Sequence, residues 1–352
     1  MIARVAIGNQ AVIDLGNNLP RWLARDNHDR VLRAIAAHGT IVFGSPNEVS
    51  EFNRLLMEGG LPPDVSRAWR ELLIRFLKSP KRVVACRPPL SPIANAMELT
   101  ELARDWGAFA DIAVVDNASL ARFGIPEDKG SMSVEGSDFE VAAAAAFPSC
   151  PRLARFRDLM DVGLVSPGSQ REMFWRDVIE PLSRCSSAVS VVDGYLFGRL
   201  WDDRRNPDHV VWLLEHLDDV VIDQATVTLF SRKGDGSSAN AIGDRILRKW
   251  VRSSERRISS LRIVLVPDRV WMNGRPGQRG PMPHDRHIRF NVGGAIGISA
   301  GLDRLSNPTI WDPNGMKWDF KWDPRALEPL SLAEGRCSHA AGADIEDIDV
   351  LG

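Results

Sequence analysis

Residues 284–303 read HDRHIRFNVGGAIGISAGLD, and they hold the residue types most able to do chemistry. His284 and Arg286 are two apart, so on a strand both side chains point to one face. Arg289 lies three beyond Arg286, and strict alternation puts it on the other face. Asn291 is seven beyond His284, again opposite unless a bulge or turn intervenes. The Gly-rich turn that follows, ahead of Ser299, lets a backbone approach closely. A histidine that can act as nucleophile or acid, beside a guanidinium that clamps phosphate oxygens, is suited to phosphoryl chemistry.

The surrounding charge fits that chemistry. Residues 245–289 carry twelve Arg and Lys against three acids, a local balance of about +9, whereas the whole chain has a net charge of −2. Arg245, Lys249, Arg252 and Arg256 recur at helical spacing and predict one face of a helix over 237–258. With Arg289, the residues Arg245, Lys249 and Arg252 are candidate phosphate contacts for nucleic acid or a lipid phosphate. The same run also reads as a solvated helix face followed by a surface hairpin.

A second set of candidates lies in the first half. Asp14 follows AVI, Glu48 and Glu51 follow TIVFGSPN, and Asp116 follows DIAVV, all at or just beyond expected strand ends. Asp138 and Glu140 follow in an acidic loop. Ligands of parallel α/β sheets gather at the carboxyl ends of strands. Asp14, Glu48, Asp116 and Asp138 could there hold Mg2+ or Mn2+ for phosphodiester hydrolysis. They serve equally as caps of helices and turns.

The elements that must position these residues follow an α/β rhythm. Buried strands are expected at 40–44, 82–86 and 111–116, separated by helices over 27–37 (with Asn27 as N-cap), 47–57 and 64–78. Residues 124–139 read as an exposed loop, and 151–161 as a helix. The sequence SPGSQ at 166–170 reads as a linker between two α/β domains, 1–165 and 171–335. The second restarts the rhythm, with helices over 171–184 and 208–218, strands at 187–193, 225–230 and 261–266, and a hairpin at 284–299. Residues 336–352 read as a small, acidic, flexible tail.

At 352 residues the chain is long enough for two domains with full cores. Its net charge excludes a uniformly basic coat. Cys86, Cys150, Cys185 and Cys337 are far apart, form no CxxC pair, and read as buried thiols in a reducing cytoplasm. No apolar run reaches the ~20 residues of a membrane span, and the first residues do not read as a signal peptide. There are eleven Trp against a single Tyr, and eight of those Trp fall after residue 170. The stretch holding Trp311, Trp318 and Trp322 either closes a core or stacks on bases. His38 and His216 read as structural or surface histidines.

The string HDRHIRFNVGGAIGISAGLDRL resembles the signature of the phospholipase-D-like domain at the C-terminus of MIT-domain proteins and of bacterial phospholipase-D-like proteins. The resemblance covers 170–330 and implies a mixed sheet between helices. It implies catalytic roles for His284, Arg286, Asn291 and Ser299, without a cofactor. Against the catalytic His-x-Lys-x4-Asp pattern, Arg286 stands in place of Lys and Asn291 in place of Asp. Active members bring two histidine motifs face to face, and this chain has one, so catalysis implies a homodimer. The MIT-type relatives imply instead a non-catalytic module for acidic phospholipid or a protein partner. The bacterial members imply a defence setting, with a protein partner in a defence complex. The acids of the first half resemble, more weakly, the layout of PIN-like nucleases. Together these imply a cytoplasmic protein acting on or sensing nucleic acid, as a phosphodiesterase or nuclease; the alternative is a phospholipid- or protein-binding module with a vestigial site.

Overall fold

The computed structural model describes residues 2–17, 19–78, 80–126, 128–158, 163–201, 208–234, 238–250, 256–267, 286–299 and 301–351. The chain divides into two compact units, Met1–Leu159 and Met160–Gly352, and each contains a mixed α/β sheet. The division falls a few residues before SPGSQ, because residues 163–165 pair as a strand within the second unit.

The first unit is built on β1 (Ala3–Ile7), β2 (Gly39–Phe43), β3 (Val83–Ala85), β4 (Ile112–Val115), β5 (Ser131–Ser133) and β6 (Glu140–Ala143). Their order is β3-β2-β1-β4-β6-β5, all parallel except edge strand β5. Every residue of β1, β2, β4 and β6 is buried, as strands covered by helices on both faces require. The helices are α1 (Asn9–Asp14), α2 (Arg21–His38), α3 (Pro46–Glu58), α4 (Pro63–Lys78), α5 (Leu99–Trp106), α6 (Asn117–Arg122) and α7 (Pro151–Asp158). Phe52, Trp69 and Phe76 are buried on α3 and α4. Trp106, Phe123, Phe139 and Val141 form a cluster with Ala6, Val42 and Val115.

Three expectations need correction here. AVI is not a strand but the body of α1, and the strand before it is β1. Helix α2 begins at Arg21 after Pro20, so Asn27 lies inside it and caps nothing. The 124–139 segment is not all loop, since β5 pairs with β6.

The second unit holds β7 (Gly163–Val165), β8 (Ala188–Val192), β9 (Ala225–Arg232), β10 (Ile258–Val266), β11 (Arg286–Phe290), β12 (Gly294–Ile298), β13 (Met316–Lys321) and β14 (Asp344–Asp349). Their order is β14-β10-β9-β8-β11-β12-β13-β7. Strands β8, β9 and β10 are parallel, and every other pairing is antiparallel. The helices are α8 (Arg171–Phe174), a π-helical turn Trp175–Ile179, α9 (Glu180–Ser183), α10 (His209–Val220), α11 (Ala239–Lys249) and α12 (Pro324–Ser338). The expected hairpin is β11–β12.

Two expectations fail in this unit. Helix α11 ends at Lys249, where Trp250 turns extended (φ −74°, ψ 105°), so no single helix runs to residue 258. The acidic tail is not a frayed end: Asp344–Asp349 pairs in register along β10. Its two Ile explain this, since they stand three apart and so anchor opposite faces of the sheet. Ile345 packs with the cluster of Val192, Phe230, Val264, Val266 and Cys337, Ile348 lies against Gly243 of α11, and Asp347 and Asp349 are exposed.

Candidate functional site

Strands β8, β11 and β12 bring two of the sequence candidates to one end of the second sheet. The carboxyl end of β8 meets the start of β11, where His287 pairs with Val192. The end of β12 lies alongside, with Ile298 opposite Arg286. Arg286 and Ser299 therefore come together. Arg286 donates through Nη1 to the Ser299 carbonyl oxygen at 3.3 Å. His284, two residues before β11, and Arg252 lie outside the described residues.

Asp193, at the end of β8, organises this corner. It is 1% exposed. Its Oδ1 accepts from the Tyr195 N–H at 2.9 Å and from Arg286 Nε at 3.3 Å. Its Oδ2 accepts from the Leu302 N–H at 2.9 Å. A buried carboxylate is tolerable with this many partners, and here it fixes the Arg286 fork from behind. Among the described residues, Arg286 Nη2 has no protein acceptor. Gly301 is needed for the approach of the loop. Its φ is +89°, and a Cβ there would lie 2.7 Å from Asp303 Oδ1 and 3.1 Å from Arg286 Nε.

His209 opens α10 nearby and is 2% exposed. The Ser306 hydroxyl donates to the Asp303 carbonyl oxygen at 2.6 Å, so its oxygen accepts from His209 Nδ1–H at 3.1 Å. Burial holds the imidazole below its usual range, against the opposing pull of Asp208, Asp193 and Asp303.

Two clefts flank the corner. One, of about 420 Å3, is lined by Arg286, Ser299, Lys317 and Lys321 among others. The other, of about 410 Å3, lies at the carboxyl ends of β8 and β9 and is lined by Tyr195, Trp201, Arg232 and Lys233 among others. Sequence reading missed this second cleft as a site. The signal available was the chain's single Tyr two residues beyond a strand-end Asp.

Other candidates do not join the corner. Asn291 lies at the far end of β11, roughly 17 Å along the strand at ~3.4 Å per residue. Its amide clasps Ser187, accepting from the backbone N–H at 3.2 Å and donating to the hydroxyl at 2.9 Å. Arg289 faces away from Arg286, as alternation required. It pairs through two nitrogens with Glu334 of α12, and His287 meets the same carboxylate at 3.1 Å. Burial pushes Glu334 up, but its hydrogen bonds to Arg289 and His287 win and leave it below the usual range. These two residues clamp β11 to α12 and do not reach the cleft. Arg245 stacks over Trp201 at 5.6 Å, and Lys249 ends the same helix. Trp318 is buried, whereas Trp311 and Trp322 are about half exposed.

In the first unit, Glu48 and Asp116 sit at carboxyl ends of the sheet, but each is committed to the backbone. Glu48 Oε2 accepts from the Gly44 N–H at 2.8 Å, and burial raises its pKa. Asp116 caps α6 through the Ser119 N–H at 2.8 Å. Asp14 braces the same helix start, accepting from the Asn117 N–H at 3.3 Å. Asp138 is at the opposite end of the sheet. It precedes the first residue of β6, parallel to β4, and pairs with Arg152 at 2.7 Å. Among the described residues, no three His, Cys, Asp or Glu side chains stand close enough to hold a metal ion. The four acids as placed do not form a cage for Mg2+ or Mn2+.

No protein-family model matches this chain, and no curated protein shows significant similarity to it. Among the described residues, no helix is long and apolar enough to cross a membrane.

Proposed function

We propose that the C-terminal unit is a phospholipase-D-like phosphodiester site acting on nucleic acid. The observation that carries this reading is the anchored Arg286 fork, held by Asp193 at the strand ends two residues after His284. A guanidinium oriented from behind presents its remaining N–H groups to an anion in a fixed plane. In this reading His284 attacks phosphorus, forming a P–N bond as the P–O bond to the leaving group breaks. Arg286 stabilises the charge on the phosphoryl oxygens. The same histidine of a second copy gives its proton to the leaving oxygen, which makes the active form a homodimer. Water then releases the phosphohistidine. The defence setting and a protein partner belong to the same proposal.

Cleavage of a labelled oligonucleotide with and without EDTA tests it. The expected result is EDTA-resistant turnover that disappears in His284→Ala and falls at least tenfold in Arg286→Ala. Turnover that survives His284→Ala overturns it. EDTA-sensitive turnover lost in Asp116→Asn would instead support a metal-dependent nuclease in the N-terminal unit.

A second reading is favoured by Asn291, which clasps Ser187 far from Arg286, and by the carboxylate that offsets Arg286. It makes the unit a non-catalytic module for anionic phospholipid or a protein partner. Absence of turnover together with binding to anionic vesicles supports that reading.

A further inference from the structure

The cleft beyond β8 and β9 has a composition that the phosphodiester reading does not use. Its apolar floor is Phe197 and Ile242, both buried. Its rim carries two large aromatic rings in the open: Tyr195 is 61% exposed and Trp201 is 50% exposed. Each ring has a guanidinium over it. Arg232 lies 5.3 Å from the Tyr195 centroid and donates to its hydroxyl at 3.0 Å, and Arg245 lies 5.6 Å from Trp201. Such pairing fixes an exposed ring that would otherwise sample several rotamers. Lys233 adds a further cation to the lining, 3.8 Å from Asp344.

We propose that this cleft is a base-stacking subsite for single-stranded nucleic acid, with Tyr195 and Trp201 as platforms and Arg232 and Lys233 as contacts to the flanking phosphates. The proposal rests on reading the C-terminal unit as a phosphodiester site and names the form of its ligand. Its volume of about 410 Å3 lies within the roughly 300–1,000 Å3 of small-ligand sites. Rings presented with cations recognise a planar group next to a negative charge, which is the chemistry of a nucleotide. A duplex keeps its base faces stacked on one another and shows only edges, so it cannot use such platforms. An unpaired strand can, and stacking tolerates any base. Asp193 connects the two places. It bonds the Tyr195 N–H with the same oxygen that holds Arg286, so the backbone that carries the stacking ring and the guanidinium share one anchor.

The test uses the full chain and three fluorescein-labelled probes of about ten nucleotides, a length suited to one such groove. These are oligothymidine, the same length of abasic strand, and a duplex. Affinity is read by anisotropy. Trp201→Ala and Tyr195→Ala are expected to weaken oligothymidine binding by roughly 5- to 150-fold, the range that loss of one stacked base gives. They should leave the abasic strand within twofold. Trp201→Phe should retain most of the affinity. Lys233→Ala should lower the salt dependence by about one phosphate contact. Both rings are exposed, so melting temperatures should hold. Equal loss on oligothymidine and abasic strand, no loss on either, no binding of oligothymidine, or tighter binding of the duplex each overturns the proposal. His284→Ala separates the two ideas. If turnover does not depend on His284 while the abasic comparison still singles out Trp201, the hydrolytic reading falls and the stacking subsite stands. The converse result leaves hydrolysis standing without it.

Discussion

Both units place carboxylates at the carboxyl ends of parallel strands, yet the surroundings differ. In the N-terminal unit, Glu48 and Asp116 accept from backbone N–H groups, and Asp14 braces the start of α6. In the C-terminal unit, Asp193 also accepts from two backbone N–H groups, but it holds a guanidinium as well and sits beside a cleft lined by Arg232, Lys233 and two exposed rings. The contrast teaches that an acid at a strand end says little until its oxygens are followed to their partners. The first set stitches loops to helices. The second aims a cation.

The sharpest way to break this contrast is Asp193→Ala. It removes a buried acceptor from two N–H groups and leaves Arg286 without its counter-charge. A loss of about 3 kcal/mol is expected in urea unfolding, at the low end for a buried pair because Arg286 is partly exposed. A loss under 1 kcal/mol would show that Asp193 is as dispensable as the acids of the other unit.

Acid should act on the N-terminal unit through His28. Burial lowers its pKa from 6.5 to about 4, and its Nδ1 accepts from the Trp69 indole N–H at 3.1 Å, which an imidazolium could not do. The unfolded chain takes up the proton first, so the contribution is constant above about pH 6.5 and declines down to about pH 4. The full decline is about 3 kcal/mol at most. Melting curves across that range should show it, and His28→Gln should flatten it. His209 in the other unit is lowered by burial in the same direction. A pH dependence left whole in His28→Gln would assign the effect there.

Smaller effects test the stitching role. Asp116→Ala should cost about 1 kcal/mol, the usual value of a lost N-cap. Glu48→Gln keeps an acceptor for the Gly44 N–H and should change stability by under about 1 kcal/mol. Millimolar Mg2+ or Mn2+ should not raise the melting temperature; a rise that Asp116→Asn abolishes would show that the carboxylates regroup around a metal.

Much of the frame was legible because buried parallel strands are continuous apolar runs. TIVF, IAVV and LRIVLV announce themselves. β1 did not, since ARVAI is short and its two Ala and Arg4 dilute the apolar run; the buried Arg4 pairs with Asp111 at 3.1 Å and donates to the Ala108 carbonyl oxygen at 2.6 Å. β14 was hidden by composition and spacing, its two Ile standing three apart among four acids. In the site, Arg286 and Ser299 were legible because a hairpin joins residues close in sequence. Tyr195 and Arg232 are 37 residues apart and meet only because β8 and β9 lie side by side. Asn291 misled because spacing along a strand was read without the strand's length, which carries it to the other end of the sheet.

The last strand has a consequence for behaviour in concentrated solution. β10 is a nine-residue run, ISSLRIVLV, with apolar residues enough to template another chain. β14 takes up its open hydrogen bonds and offers in exchange an edge bearing Asp344, Glu346, Asp347 and Asp349. Like charges repel any second copy that would add there. The sheet's growth is thereby ended by electrostatics, and a chain cut before Asp344 would present a sticky template in place of a closed border.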